Sequence, residues 1–243
     1  MHIIKLNAID STNAYLKALS METALQDCTV VITEHQTKGR GQMGTLWQSE
    51  PSKNLTFSVF KEVSFIKVEQ QFYISMATSL ALYRALETFY IPQLYIKWPN
   101  DILSATNKIA GILIENVIKH NQLLGSVIGI GLNVNQKNFD ALPNASSMCL
   151  TTGVLYDLEE VLQAIIKQIN HYFKMLQSKR FDAIKTEYES LMFRMQKPST
   201  FLDVNDQSFT GYIKGVTEDG KLVVLEEDNV INTYDLKEVQ LLY

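Results

Sequence analysis

Residues 36–47 read Gln-Thr-Lys-Gly-Arg-Gly-Gln-Met-Gly-Thr-Leu-Trp, with three glycines, an arginine and a tryptophan set between two apolar, strand-like runs. No other segment narrows the possible folds as much. Such a loop brings backbone amides and one fixed cation close to a small anionic ligand. Glycine admits a close backbone approach that a Cβ would block, and successive N–H groups in a turn form an anion-binding concavity. The spacing Gly39-x-Gly41-x-x-Gly44 matches a dinucleotide fingerprint in form only. That fingerprint opens a helix and has an acidic residue about 20 residues further on. Here the loop leads into Asn54-Leu-Thr-Phe-Ser-Val-Phe60, which alternates like a strand. A protein-kinase glycine loop also lies between strands, but the chain has no HRD or DFG signature.

A chain of 243 residues accommodates one large domain, or one domain with a small companion. The net charge of −4 and the presence of only four arginines argue against a general nucleic-acid binder, which shows a basic stripe. Cys28 and Cys149 have no metal-ligand spacing and make no disulfide framework. The N-terminus lacks a signal peptide and no apolar run reaches transmembrane length. A cytoplasmic location without membrane contact is expected.

Residues 2–6 predict a short strand, and Ser11-Thr12-Asn13 supplies N-cap residues for a helix running to about Leu25. Strands are predicted at 28–34, 54–60, 95–96, 109–118 and 123–134, with the hairpin of the last pair at 119–122. Helical periodicity covers 67–90, 158–173 and 181–194. Pro99 makes Lys97-Trp98-Pro99-Asn100-Asp101 a turn at a strand end, and 103–108 reads as a loop. After Lys197-Pro198 short β-like runs alternate with turns at 205–206, 218–220 and 227–229. This predicts an α+β body with a mixed sheet over 1–195 and a small antiparallel β-barrel over 196–243.

Four segments can carry chemistry: Ser11-Thr12-Asn13, Gln36 to Trp47, Lys97 to Asp101 with Lys108 to Gly111, and Gly129 to Asn133. Both tryptophans lie in them, and seven of the eleven glycines fall between Gly39 and Gly131. Hydroxyl and amide groups can satisfy a polar, uncharged ligand head. Arg40, Lys97 and Lys108 can neutralise carboxylate or phosphate, and Asn100, Asp101 and Asn133 suit a nucleotide or Mg²⁺, which takes oxygen ligands.

In this order the motifs STN, QTKGRGQMGTLW, KWPND, KIAGIL and GIGLNV resemble those of the biotin–protein ligases, over most of residues 1–135. The tail also looks like the SH3-like barrel of these enzymes. The resemblance implies a class II synthetase-like catalytic domain and a two-step reaction. Biotin and ATP would give biotinyl-AMP and pyrophosphate, and a lysine of a biotin carboxyl carrier protein would then take the biotin. It implies catalytic roles for Arg40 and Lys108. It implies biotin contacts from Ser11, Thr12, Asn13, Gln36, Gly39, Arg40, Trp47, Lys108, Gly111 and Ile112. It further implies ATP contacts from Gly41, Gln42, Gly44, Lys97, Asn100, Asp101 and Asn133, with Asn100 and Asp101 as Mg²⁺ partners.

The loop departs from the GRGRRG form, having Gln42 and Met43 where that form has arginines, so weaker retention of biotinyl-AMP is expected. Only ten residues precede Ser11, too few for the winged helix-turn-helix of repressor-type members, so no DNA partner is expected. Strand edges near the glycine loop could pair two copies as a homodimer. Two other readings stand beside the ligase: a lipoate–protein ligase of the same superfamily, and a non-catalytic biotin-binding sensor.

Overall fold

The computed structural model describes residues 2–139, 142–227 and 229–243, with the backbone alone at Met43. A seven-stranded sheet comprises β1 (His2–Ile9), β2 (Thr29–Gln36), β3 (Leu55–Glu62), β4 (Leu94–Lys97), β5 (Asp101–Ser104), β6 (Asn107–Lys119) and β7 (Gln122–Leu132). Their spatial order is β1-β2-β3-β7-β6-β5-β4. β1 and β2 run parallel and every other neighbouring pair is antiparallel, so the sheet is mixed. Among the described residues five α-helices accompany it: α1 (Thr12–Glu22), α2 (Phe72–Glu87), α3 (Met148–Thr152), α4 (Leu158–Gln177) and α5 (Phe181–Ser190). A second, all-antiparallel sheet follows, made of β8 (Pro198–Asp203), β9 (Ser208–Val216), β10 (Leu222–Glu226), β11 (Ile231–Tyr234) and β12 (Val239–Leu242), in the order β11-β10-β9-β8-β12. The α+β class with a small C-terminal β unit agrees with the sequence reading.

The two faces of β3 explain how the large sheet is dressed. Leu55, Phe57 and Val59 join the main core beneath α2 and α4. Thr56 and Ser58, on the opposite face, are also buried. Alternation in this strand therefore marks two covered faces, one apolar and one polar. α1 covers the polar face, held at its start by Ser11, whose hydroxyl accepts from Ala14 N–H at 3.4 Å. Leu16 of α1 packs with Val31 and Val127 in a separate small cluster.

Several boundaries differ from those the sequence predicts. α1 stops at Glu22, where Thr23 turns extended. α5 stops at Ser190, because the next residues are drawn into sheet-like pairing. Met192 bridges Ile96, and Met195 bridges Ile213 of the small sheet. Asp101 begins strand β5 instead of closing a turn, and 103–108 is no loop. Ile102 and Leu103 are fully buried and the chain turns back after Ser104 into β6. Helix α3 was not predicted. The turn predicted at 227–229 includes Asp228, which lies outside the described residues.

The small sheet joins the large one through the β4–β5 hairpin. Trp98 Nε1 donates to Gly220 O at 2.9 Å, and Lys97 Nζ lies 4.8 Å from the centroid of the Tyr243 ring. Gly220 has φ +97°, and a Cβ there would fall 2.4 Å from the Phe72 ring. The core runs without a break from α2 and α4 to Phe201, Ile213 and Val224 of the small sheet.

Candidate functional site

A cavity of about 700 Å³ opens over the β3-β7-β6-β5 face of the large sheet and is lined on its other side by the small sheet. Sheet register builds its floor. Thr56, Gly131 and Gly111 are cross-strand partners in one row, which Asp101 extends. Ser58, Gly129 and Leu113 make the next row. Directly paired residues share a face, so three glycines leave a trough where side chains would otherwise stand. Other groups fill it. A Cβ on Gly131 would meet the Trp47 ring at 2.3 Å, and one on Gly129 would meet the Asn13 amide at 2.4 Å.

The glycine loop is a closed hairpin. Arg40 bridges Leu46, Gly41 N–H donates to Thr45 O at 2.7 Å, and Trp47 N–H donates to Gly39 O at 3.1 Å. Gly39 is required by contact, since a Cβ would lie 2.3 Å from Trp47 O. Gly44 is required by conformation, with φ +83°. The loop delivers the exposed Arg40 and the half-buried Trp47 to the cavity. Trp47 Nε1 is buried without a hydrogen-bond partner among the described residues. Buried indole N–H groups normally have one; this edge of the ring lies against Gly131.

One end of the cavity is polar and uncharged. Gln36 Oε1 accepts from Thr12 N–H at 2.8 Å and lies 3.1 Å from Thr12 Oγ1. Ser58, absent from the sequence-derived candidates, is 0 % exposed and stands 2.7 Å from Thr12 Oγ1 and 2.6 Å from Asn13 Oδ1. Its signal was a serine in the polar phase of a strand flanked by large apolar residues. That phase was open to reading as solvent-facing.

The other end is charged. Lys108 Nζ lies 2.6 Å from Asp101 Oδ1, an ion pair without hydrogen-bond alignment, and 5.6 Å from the centroid of the Trp47 ring. Both side chains are partly shielded, so the attraction is stronger than at an open surface. Asn100 Nδ2 is committed to Ile112 O at 2.7 Å, which leaves its amide oxygen to serve a ligand. Lys97 lines the same end. Leu202, Val204, Leu236 and Lys237 of the small sheet and its turns form the opposite lip, and sequence reasoning named none of them.

Of the residues singled out from the sequence, Ser11, Thr12, Asn13, Gln36, Arg40, Gly41, Gln42 and Trp47 come together on this cavity. Lys97, Asn100, Asp101, Lys108, Gly111 and Ile112 join them. Gly39, Gly44 and Asn133 do not line it. Gly39 and Gly44 shape the loop. Asn133 is buried beside it, donating from Nδ2 to Ser146 O at 2.9 Å. Among the described residues no group of three or more His, Cys, Asp or Glu side chains could hold a metal ion, and no helix is long and apolar enough to cross a membrane.

Comparison with known proteins fits this geometry. Residues 6–133 match the biotin/lipoate A/B protein ligase family. The chain is 27% identical over 238 residues to the bifunctional ligase/repressor BirA of Bacillus spizizenii, covering 96% of this chain and 72% of that protein. It is 36% identical over 147 residues to a biotin–[acetyl-CoA-carboxylase] ligase of Mycobacterium tuberculosis, covering 59% of this chain and 53% of that protein. Among solved structures, the biotin protein ligase of Aquifex aeolicus in complex with biotin and ATP superposes with a TM-score of 0.81 at 29% identity, covering 99% of this chain and 98% of that one. The chain belongs to the biotin/lipoate A/B protein ligase family.

Proposed function

We propose that this chain is an ATP-dependent biotin–protein ligase that activates biotin as biotinyl-AMP and transfers it to a lysine of a biotin carboxyl carrier protein. The observation that carries the reading is the polarity of one cavity, with a neutral hydrogen-bonding end at Thr12 and Gln36 and a charged end where Lys97 and Lys108 stand beside Asp101. Biotin has the same two ends, a ureido ring and a carboxylate. The catalytic unit spans 1–195 and the closing β unit 196–243.

In the first step a biotin carboxylate oxygen attacks the α-phosphorus of ATP, and the bond to pyrophosphate breaks. Two anions must approach, which cations aimed at the developing charge make possible. Lys108 meets the biotin carboxylate, exchanging its Asp101 contact for it, and Arg40 closes from the glycine loop. Charge-assisted hydrogen bonds from these groups are roughly twice as strong as neutral ones. Ser11, Thr12, Gln36 and the loop backbone at Gly39 serve the ureido ring. Trp47, Gly111 and Ile112 form the apolar wall for the sulfur-containing ring and valeryl chain. Leaving such polar groups unpaired costs about 1–3 kcal/mol each, which selects biotin over an apolar acid such as lipoate. In the second step the carrier lysine attacks the acyl carbon and AMP leaves.

Lys97, Asn100, Asp101 and the loop at Gly41 and Gln42 serve the nucleotide. Mg²⁺ fits here as an ion carried by the phosphates, which needs only one or two protein carboxylates. Asp101 and the Asn100 amide oxygen would hold it, and it would neutralise phosphate charge. We place the enzyme in the cytoplasm. The test is to incubate the protein with ATP, Mg²⁺, biotin and a biotin carboxyl carrier domain and to weigh the carrier by mass spectrometry. A gain of one biotin on a single lysine is expected; no gain, or a gain with lipoate in its place, overturns the reading.

A further inference from the structure

Asn13 lines the cavity, yet its amide is fully committed inside the protein. Nδ2 donates to Leu113 O at 3.2 Å and to Glu115 Oε2 at 3.1 Å. Both partners accept only, so the orientation of the amide is fixed. Oδ1 lies 2.6 Å from Ser58 Oγ and has no proton of its own, so Ser58 supplies it. Gly129 stands opposite Ser58 in the sheet, and a Cβ there would come within 2.4 Å of Asn13 Oδ1. The glycine thus seats the amide on the sheet. Glu115 is itself held by Lys17 at 3.0 Å.

Ser58 also stands 2.7 Å from Thr12 Oγ1, and Thr12 stands 3.1 Å from Gln36 Oε1. Ser58 and Thr12 carry two hydroxyl protons for these three contacts. With the Ser58 proton on Asn13, Thr12 points its own at Ser58 or at Gln36. Ser58 therefore faces the Thr12 hydroxyl as an acceptor only and holds it from behind, while remaining outside the cavity lining and wholly buried.

Resting on the biotin-ligase reading above, we propose that Asn13, Ser58, Gly129 and Glu115 form a positioning unit behind the biotin-head site. Asn13 acts through this unit as the anchor of the first turn of α1, not as a biotin contact. Ser58 is a positioning residue for Thr12. Specificity for the biotin head then depends on residues that never touch it, because a ligand site needs its contacting groups locked from behind.

The test measures biotin binding by calorimetry and, in the full reaction, KM for biotin and for ATP. Ser58→Ala should weaken biotin binding about tenfold and leave KM for ATP unchanged. Asn13→Ala should do the same, and the double variant should be no weaker than Asn13→Ala alone, since coupled residues do not add. Glu115→Ala, at a half-buried position, reads the same anchor if Ser58→Ala does not fold. It should raise KM for biotin several-fold, with most of the loss recovered in Glu115→Gln, which keeps an acceptor for Asn13. Unchanged biotin affinity in Ser58→Ala, equal loss for ATP, or multiplying effects in the double variant would overturn the proposal. Absence of biotin binding by the unaltered protein would instead sink the ligase reading and the proposal with it.

Discussion

At the Thr12–Gln36 end of the cavity, side chains answer one another. Thr12, Gln36, Ser58 and Asn13 are linked by short contacts and rest on the sheet. At the Lys97–Lys108 end, charged groups face a gap closed from the far side by a second sheet. The first end is arranged in advance by these contacts. The second has an ion pair that a substrate must replace, an indole N–H without a partner and an exposed lip in which Leu46 and Val204 are 74 % and 67 % exposed. Elements with few buried contacts open at low cost. The contrast teaches that recognition of the acid is built into the sheet, whereas activation is assembled when the nucleotide and the loop come together.

The contrast can be broken most severely at Lys108. Lys108→Ala should lower pyrophosphate release by ~10²–10³-fold, while calorimetric binding of biotin by its ring weakens far less. Equal losses in both would mean the two ends are not separable. Next comes the floor they share. Gly131→Ala places a Cβ 2.3 Å from the Trp47 ring in the present arrangement, so the indole must leave the trough. A rise in KM for biotin of about tenfold is expected, and a wild-type value would show that Trp47 does not matter there.

How much of this was legible in the chain follows the same division. The helix start at Ser11, the glycine loop and the long strands 109–118 and 123–134 were visible, because caps, glycine spacing and β-branched runs are local signals. Strand β5 was not. Its four residues start at Asp101, inside the Pro99-Asn100-Asp101 run that signals a turn, and only pairing with β6 makes it a strand. α5 was read too long because nothing local announces that Leu191–Met195 will bridge two sheets. Ser58 stayed hidden since a polar residue in an alternating strand is normally exposed, and here α1 covers that face. The cavity lip from the small sheet was also invisible, since its residues carry no motif.

Smaller effects sharpen the nucleotide end. Trp98→Phe removes the hydrogen bond to Gly220 O, worth about 1 kcal/mol. A several-fold rise in KM for ATP with little change for biotin should follow in steady-state kinetics. If biotin suffers equally, the small sheet supports the whole cavity and not one end. Gln42→Arg restores a cation to the loop and should slow dissociation of the adenylate a few-fold, as followed by stopped-flow release; an unchanged rate would remove Gln42 from the nucleotide site. Smallest of all, biotin should reduce protease cleavage within 39–46, and equal cleavage with and without it would show that the hairpin is already set.

The most direct measurement of the central claim is pyrophosphate release on mixing the protein with ATP and Mg²⁺, with biotin and lipoate in parallel. Release with biotin alone, before any carrier is added, is predicted. Release with lipoate alone would contradict the assignment of the polar end to the ureido ring. Release with neither acid, despite binding of biotin, would contradict catalysis by this cavity and leave a biotin-binding sensor.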